Sequence, residues 1–83
     1  MVRKQQKNEI FTTYDLHGYK LEDAIDFIEN LIGTIRLAGN EEIIKVITGR
    51  GIIRTRLKKY LEAIGVDHRF EHGNDGVIII LVD

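Results

Sequence analysis

The chain has 83 residues, enough for one domain around a single core. With 43% hydrophobic and 30% charged residues and no low-complexity stretch, it reads as a soluble globular chain rather than a disordered one. The absence of cysteine excludes a disulfide scaffold, a thiolate metal site and a cysteine nucleophile, and the net charge of −1 is uninformative until its distribution is seen.

Residues 1–9 are polar, carry Arg3, Lys4 and Lys7, and have no hydrophobic stretch behind those charges, so they read as a flexible arm and not as a signal peptide. No apolar run reaches the roughly 18 residues of a membrane-spanning helix. The expected location is the cytoplasm, with no membrane partner.

Ile10 to Leu16 alternates in period two and is rich in aromatic and β-branched residues, which predicts a strand ended by Gly18. Leu21, Ala24, Ile25, Ile28, Leu31, Ile32 and Ile35 then form one stripe of an amphipathic helix closed by Gly39-Asn40. Glu22 and Asp23 suit the positive end of its dipole. Ile43 to Ile47 is short and almost wholly apolar, as a central strand is. Ile53, Leu57, Tyr60, Leu61 and Ile64 give a second helical stripe, ended by Gly65. Val66 to Glu71 predicts a third strand, residues 72–76 a turn, and Val77 to Val82 an apolar last strand. The predicted fold class is α/β: a two-layer sandwich in the order β-α-β-α-β-β, with a four-stranded mixed sheet and both helices on one face. The last strand is apolar on both sides, so its second face needs a cover: the arm, a partner or a second copy.

Three polar segments carry candidate chemistry. Asp15 and His17 fall on one side of the first strand's end, opposite Leu16. A carboxylate there either fixes and raises an imidazole for acid–base work or makes a structural hydrogen bond. Thr48-Gly49-Arg50-Gly51 joins a strand to a helix, which suits either an anion loop or a tight turn. It is neither a Walker loop nor a full dinucleotide fingerprint. From Arg50 to Lys59 the chain carries Arg50, Arg54, Arg56, Lys58 and Lys59 and no acid, whereas Leu21 to Ile32 carries Glu22, Asp23, Asp26 and Glu29 and no cation. Such a basic run suits a phosphate backbone or an ordinary solvated helix face. If the first two strands are parallel neighbours, all three segments meet at one sheet edge.

Taken together, Asp15-Leu16-His17-Gly18, Thr48-Gly49-Arg50-Gly51 and Gly73-Asn74-Asp75-Gly76-Val77 resemble the motifs of the small MutS-related (Smr) domain family. That family has D-L-H-G after its first strand, H-G-x-G or T-G-x-G after its second, and a glycine-bounded turn before a last strand beginning G-V. The resemblance covers about residues 10–83 and implies a sandwich similar to the C-terminal domain of a bacterial translation initiation factor. It implies nucleic-acid binding and, in many members, DNA nicking or RNA cleavage, including cleavage of messenger RNA on stalled ribosomes. Carried over by position, Asp15 and His17 are the catalytic pair, and Gly49, Arg50 and Gly51 bind the backbone, with Gly18 and Thr48 beside them. Lys20 departs from the family, which often has Ser or Thr there, so the first helix is expected to be poorly capped. Ile78 stands where Thr is common.

The expectation is an endonuclease with no cofactor and no metal, acting on RNA or DNA. Arg50, Arg54 and Lys58 hold phosphates, His17 moves a proton and Asp15 orients it. Asp15, His17 and Asp75 are few ligands for one hard cation. The alternatives are a non-catalytic nucleic-acid-binding module and a protein-interaction module. Ribosome association and a homodimer through the apolar sheet face complete the expected partners.

Overall fold

A computed structural model describes residues 11–83, so the expected arm and Ile10 lie outside the described residues. The elements are β1 (Thr12–Asp15), α1 (Leu21–Leu37), β2 (Glu42–Ile47), α2 (Ile52–Ile64), β3 (Asp67–Glu71) and β4 (Asn74–Val82). The sheet order is β1-β2-β4-β3, with β1 parallel to β2 and β4 antiparallel to both its neighbours. This is the expected mixed four-stranded sheet with two helices.

The predicted stripes are the buried ones. Ala24, Ile28, Ile32 and Ile35 of α1 and Ile53, Leu57 and Leu61 of α2 close over Ile44 and Val46 of β2 and Ile78, Ile80 and Val82 of β4, in one cluster that includes Leu16. Phe27 lies off that stripe and covers the outer strand, with its ring 5.4 Å from Tyr14 and 6.4 Å from Tyr19. Lys20 makes no side-chain cap for α1, as its departure from the family pattern implies, and Glu22 and Asp23 of the first turn complement the dipole instead.

The predicted turn at residues 72–76 is too long. The turn is His72-Gly73 alone, and Asn74, Asp75 and Gly76 already belong to β4, with Glu71 opposite Asn74 beyond an irregularity at Phe70/Glu71. Asp75, Gly76 and Val77 are left without a partner on β3 there, which lets polar turn-formers sit in a strand.

The second face of the sheet is partly closed by the chain itself. Lys45 of β2 and Glu71 of β3 are bonded at 2.6 Å although β4 lies between their strands, so the pair arches over β4. Lys45 also sits 5.0 Å above the Phe11 ring. Val77 and Ile79 below are 7% and 5% exposed, whereas Ile43 and Leu81 at the far end are each 40% exposed.

Candidate active site

The register Asp15↔Ile47 places the ends of β1 and β2 side by side, and the Leu16 N–H donates to the Ile47 carbonyl at 2.8 Å. Because β4 runs the other way, Val77 pairs with Ile47 and the start of β4 lies at the same edge. The parallel neighbourhood on which the sequence argument depends is therefore present, and the three motif segments converge.

Leu16 is buried and anchors the first segment, which leaves Asp15 and His17 outside. Gly18 has φ +85°, and Tyr19 N–H donates to the Leu16 carbonyl at 3.1 Å. This turn carries the chain from β1 into α1, and a side chain at Gly18 would be strained. Asp15 Oδ1 accepts from the His17 backbone N–H at 3.1 Å and lies 2.5 Å from His17 Nδ1. The His17 ring's hydrogen bond, and then its backbone N–H, hold the Asp15 carboxyl below the usual range. An ionised carboxylate only accepts, so Nδ1 carries the proton between them and Nε2 is the ring nitrogen that faces away from Asp15. His17 is 69% exposed along its side chain, so Nε2 is open to solvent.

The second segment is bolted to β4. Thr48 N–H and Gly49 N–H both donate to the Gly76 carbonyl, at 2.9 and 3.1 Å. Thr48 Oγ1 lies 2.7 Å from the Gly49 carbonyl and 3.2 Å from that of Gly76. Thr48 is only 4% exposed, and its hydroxyl shapes the loop. Gly49 has φ +72°, and a Cβ built there would lie 3.9 Å from His17 Cβ, which places loop and pair next to each other. Gly51 caps α2 without a side-chain bond, and no acid stands in the first turn of α2. The N–H groups of that turn therefore face the edge with an uncompensated dipole.

The predicted phosphate-holding cations differ in exposure, and each has a carboxylate partner. Arg50 is well exposed, and its Nε contacts Asp75 Oδ1 at 2.7 Å. Arg54 is more enclosed. Its Nε donates to the Asp75 carbonyl at 2.9 Å, its Nη2 is 3.6 Å from Asp75 Oδ2, and its guanidinium lies 4.8 Å from the Phe70 ring centre. Lys58 is bonded to Glu62 one turn on. All three are thus held by this chain's own groups; the i,i+4 spacing of Lys58 and Glu62 is legible in the sequence, whereas the contacts of Arg50 and Arg54 with the distant Asp75 are not. Asp75 serves the two arginines rather than joining Asp15 and His17. Among the described residues, no three His, Asp or Glu side chains gather as a metal would need.

This architecture is similar to solved structures. The crystal structure of the Smr domain of Thermus thermophilus MutS2 matches with a TM-score of 0.73 at 18% identity, over 87% of this chain and 98% of that one. The solution structure of the SMR domain of NEDD4-binding protein 2 matches with a TM-score of 0.67 at 21% identity, over 94% of this chain and 92% of that one. At these identities the likeness shows a common fold. No curated protein sequence matches. The Smr domain profile matches residues 14–83 and so includes all three motif segments. By that match and by its fold, the chain belongs to the Smr domain family.

Proposed function

We propose that this chain is an endonuclease that cleaves a phosphodiester of RNA or DNA where Asp15, His17 and the Thr48–Gly51 loop meet. Smr domains are nucleic-acid-binding modules. The observation that carries the catalytic reading is the 2.5 Å contact of Asp15 Oδ1 with His17 Nδ1, which leaves Nε2 available beside an uncapped helix start. In that reading a phosphate sits before α2, where backbone N–H groups and Arg50 offset the charge that grows on it.

With RNA, the ribose hydroxyl beside the scissile phosphate attacks phosphorus, and its proton passes to His17 Nε2. The bond from phosphorus to the leaving oxygen breaks, and that oxygen takes a proton back from the imidazolium. The products are a cyclic phosphate and a free hydroxyl. With DNA, a water attacks phosphorus and gives its proton to the same nitrogen; the bond from phosphorus to the leaving deoxyribose oxygen breaks, that oxygen takes the proton back from the imidazolium, and the products are a phosphomonoester and a free hydroxyl. Asp15 holds the ring and stabilises its charged form in both cases.

The test is cleavage of labelled single-stranded RNA and DNA in EDTA by the wild type and His17→Ala. Loss of about 100-fold or more in the variant, with binding kept, is the outcome expected for a general base. Binding without cleavage by either protein would replace this reading with a non-catalytic nucleic-acid-binding module. Equal cleavage by both would place the chemistry on other residues.

A further inference from the structure

We propose that the groove between α1 and α2 seats the nucleotide next to the scissile phosphate, with Arg56 and Lys59 holding its backbone. The proposal rests on the nucleic-acid reading above.

The topology places this groove at the site. β1 and β2 are parallel and each is followed by a helix, so α1 and α2 both start at the edge that carries Asp15, His17 and the loop. The groove lies between the start of α1 and the middle of α2, has a volume of about 460 Å³, and is lined by Leu21, Ile25, Arg56, Lys59 and Tyr60. That volume falls within the roughly 300–1,000 Å³ of sites for small organic groups. At 1.5 Å per residue, Arg56 and Lys59 stand roughly 7 and 12 Å along α2 from Gly51, just beyond the proposed phosphate seat.

The cations of α2 separate by face. Arg54 and Lys58, four residues apart, share one side and are held by Asp75 and Glu62. Arg56 and Lys59, three apart, line the groove, and among the described residues neither has a carboxylate within ion-pair distance. The other wall repels anions: Glu22, Asp26 and Glu29 of α1 are exposed and likewise have no ion-pair partner among the described residues. A phosphate therefore follows α2, and the apolar surface of Leu21 and Ile25 is left to a sugar or base. Burial, and then the charge of Glu29, push the Tyr60 phenol up, so its hydroxyl remains a hydrogen-bond donor. The phosphate track thus turns toward α1 and away from the Arg54–Lys58 side.

The experiment is fluorescence anisotropy with a labelled single-stranded 12-mer over a salt series, in the His17→Ala background so that nothing is cut. The Arg56→Gln/Lys59→Gln double variant is expected to bind about tenfold more weakly at low salt. Its plot of log affinity against log salt should flatten by about 1.4, at about 0.7 per single-strand phosphate contact. Arg69→Gln, an exposed cation on β3 outside the groove, should stay within about twofold. Amide shifts on titration should include Leu21, Ile25 and Tyr60. A double variant with unchanged affinity and slope overturns the groove while leaving the function intact, as do shifts that spare those three residues. Equally strong displacement of the 12-mer by oligo-glutamate overturns it in favour of an acidic peptide. Failure of the parent protein to bind any nucleic acid overturns the functional reading itself.

Discussion

The Asp75 carboxylate meets Arg50 Nε at 2.7 Å, so an anion of the chain itself occupies the guanidinium best placed to greet a phosphate. The same residue accepts from Arg54 through its carbonyl and thereby joins α2 to the start of β4. In the proposed function, Asp75 both aims Arg50 and competes with a phosphate for it. Asp75→Asn removes the competing charge and keeps a side chain of the same shape. Nucleic-acid affinity at low salt should rise roughly two- to fivefold, the range of a solvent-screened pair. Cleavage per bound strand should fall, because Arg50 is no longer aimed. Weaker binding by Asp75→Asn would show that the carboxylate does not compete with the ligand.

The Asp15–His17 bond makes a prediction about pH. The folded carboxyl lies below its ordinary value of 3.8 because the His17 ring donates to it. The interaction therefore contributes stability above the unfolded value, and that contribution is lost as pH falls through the folded one. An NMR titration should place the Asp15 midpoint below 3.8 in the wild type and return it toward 3.8 in His17→Ala. A wild-type midpoint at or above 3.8 would mean that the bond does not persist in solution.

Gly49 and Gly76 separate backbone strain from crowding. Gly49→Ala forces a side chain into the left-handed region at φ +72°, at a cost of roughly 1–2 kcal/mol. It also displaces the loop that packs on His17, so activity should fall with stability. Gly76→Ala places its Cβ 3.5 Å from the Gly49 backbone at an ordinary φ, which is normal contact. Its effect on thermal stability should be well below that of Gly49→Ala. The reverse order in a melting experiment would show that the Gly49–Gly76 contact is tighter than this geometry.

The core was legible because its signals are local. The steps through Ala24, Ile28, Ile32 and Ile35 select one face of α1 by helix geometry alone, and that face is buried. Asp15 and His17 were legible as a pair because period two puts them together across Leu16. What sequence reading missed joins distant positions. Arg54 meets Asp75 across 21 residues, and Thr48 spends its hydroxyl on carbonyls that include Gly76, across 28. Beyond the i,i+4 spacing of Lys58 and Glu62, nothing in the basic run says which of its cations the fold will pair. Asp75 and Asn74 carry turn chemistry, yet they extend β4 because the irregularity at Phe70/Glu71 absorbs the mismatch. Lys45 and Glu71 gave no sign at all, since their contact exists only because β4 is threaded between their strands.

Leu57 tests the core directly. It is fully buried among residues of both helices and the sheet. Leu57→Ala should cost about 2–5 kcal/mol. In a domain of this size that lowers the melting temperature by about 10 °C or more. A loss below about 1 kcal/mol would mean that the two helices close the gap, which their packing on a common sheet opposes.

The Lys45–Glu71 arch is worth more than its charge. Both side chains are a little under one-third exposed, so the ion pair alone should contribute no more than about 1 kcal/mol. The stems of the two residues also lie over β4, where Val77 and Ile79 are nearly hidden from solvent although no helix covers that face. The two contributions separate when two substitutions at Lys45 are compared. Lys45→Met keeps the stem and loses the charge, so it should destabilise by about 1 kcal/mol or less. Lys45→Ala loses both and should cost distinctly more, and it should increase binding of a hydrophobic dye as Ile79 is uncovered. Equal effects of Met and Ala at Lys45 would assign the arch to charge alone and leave the burial of Val77 and Ile79 to other residues.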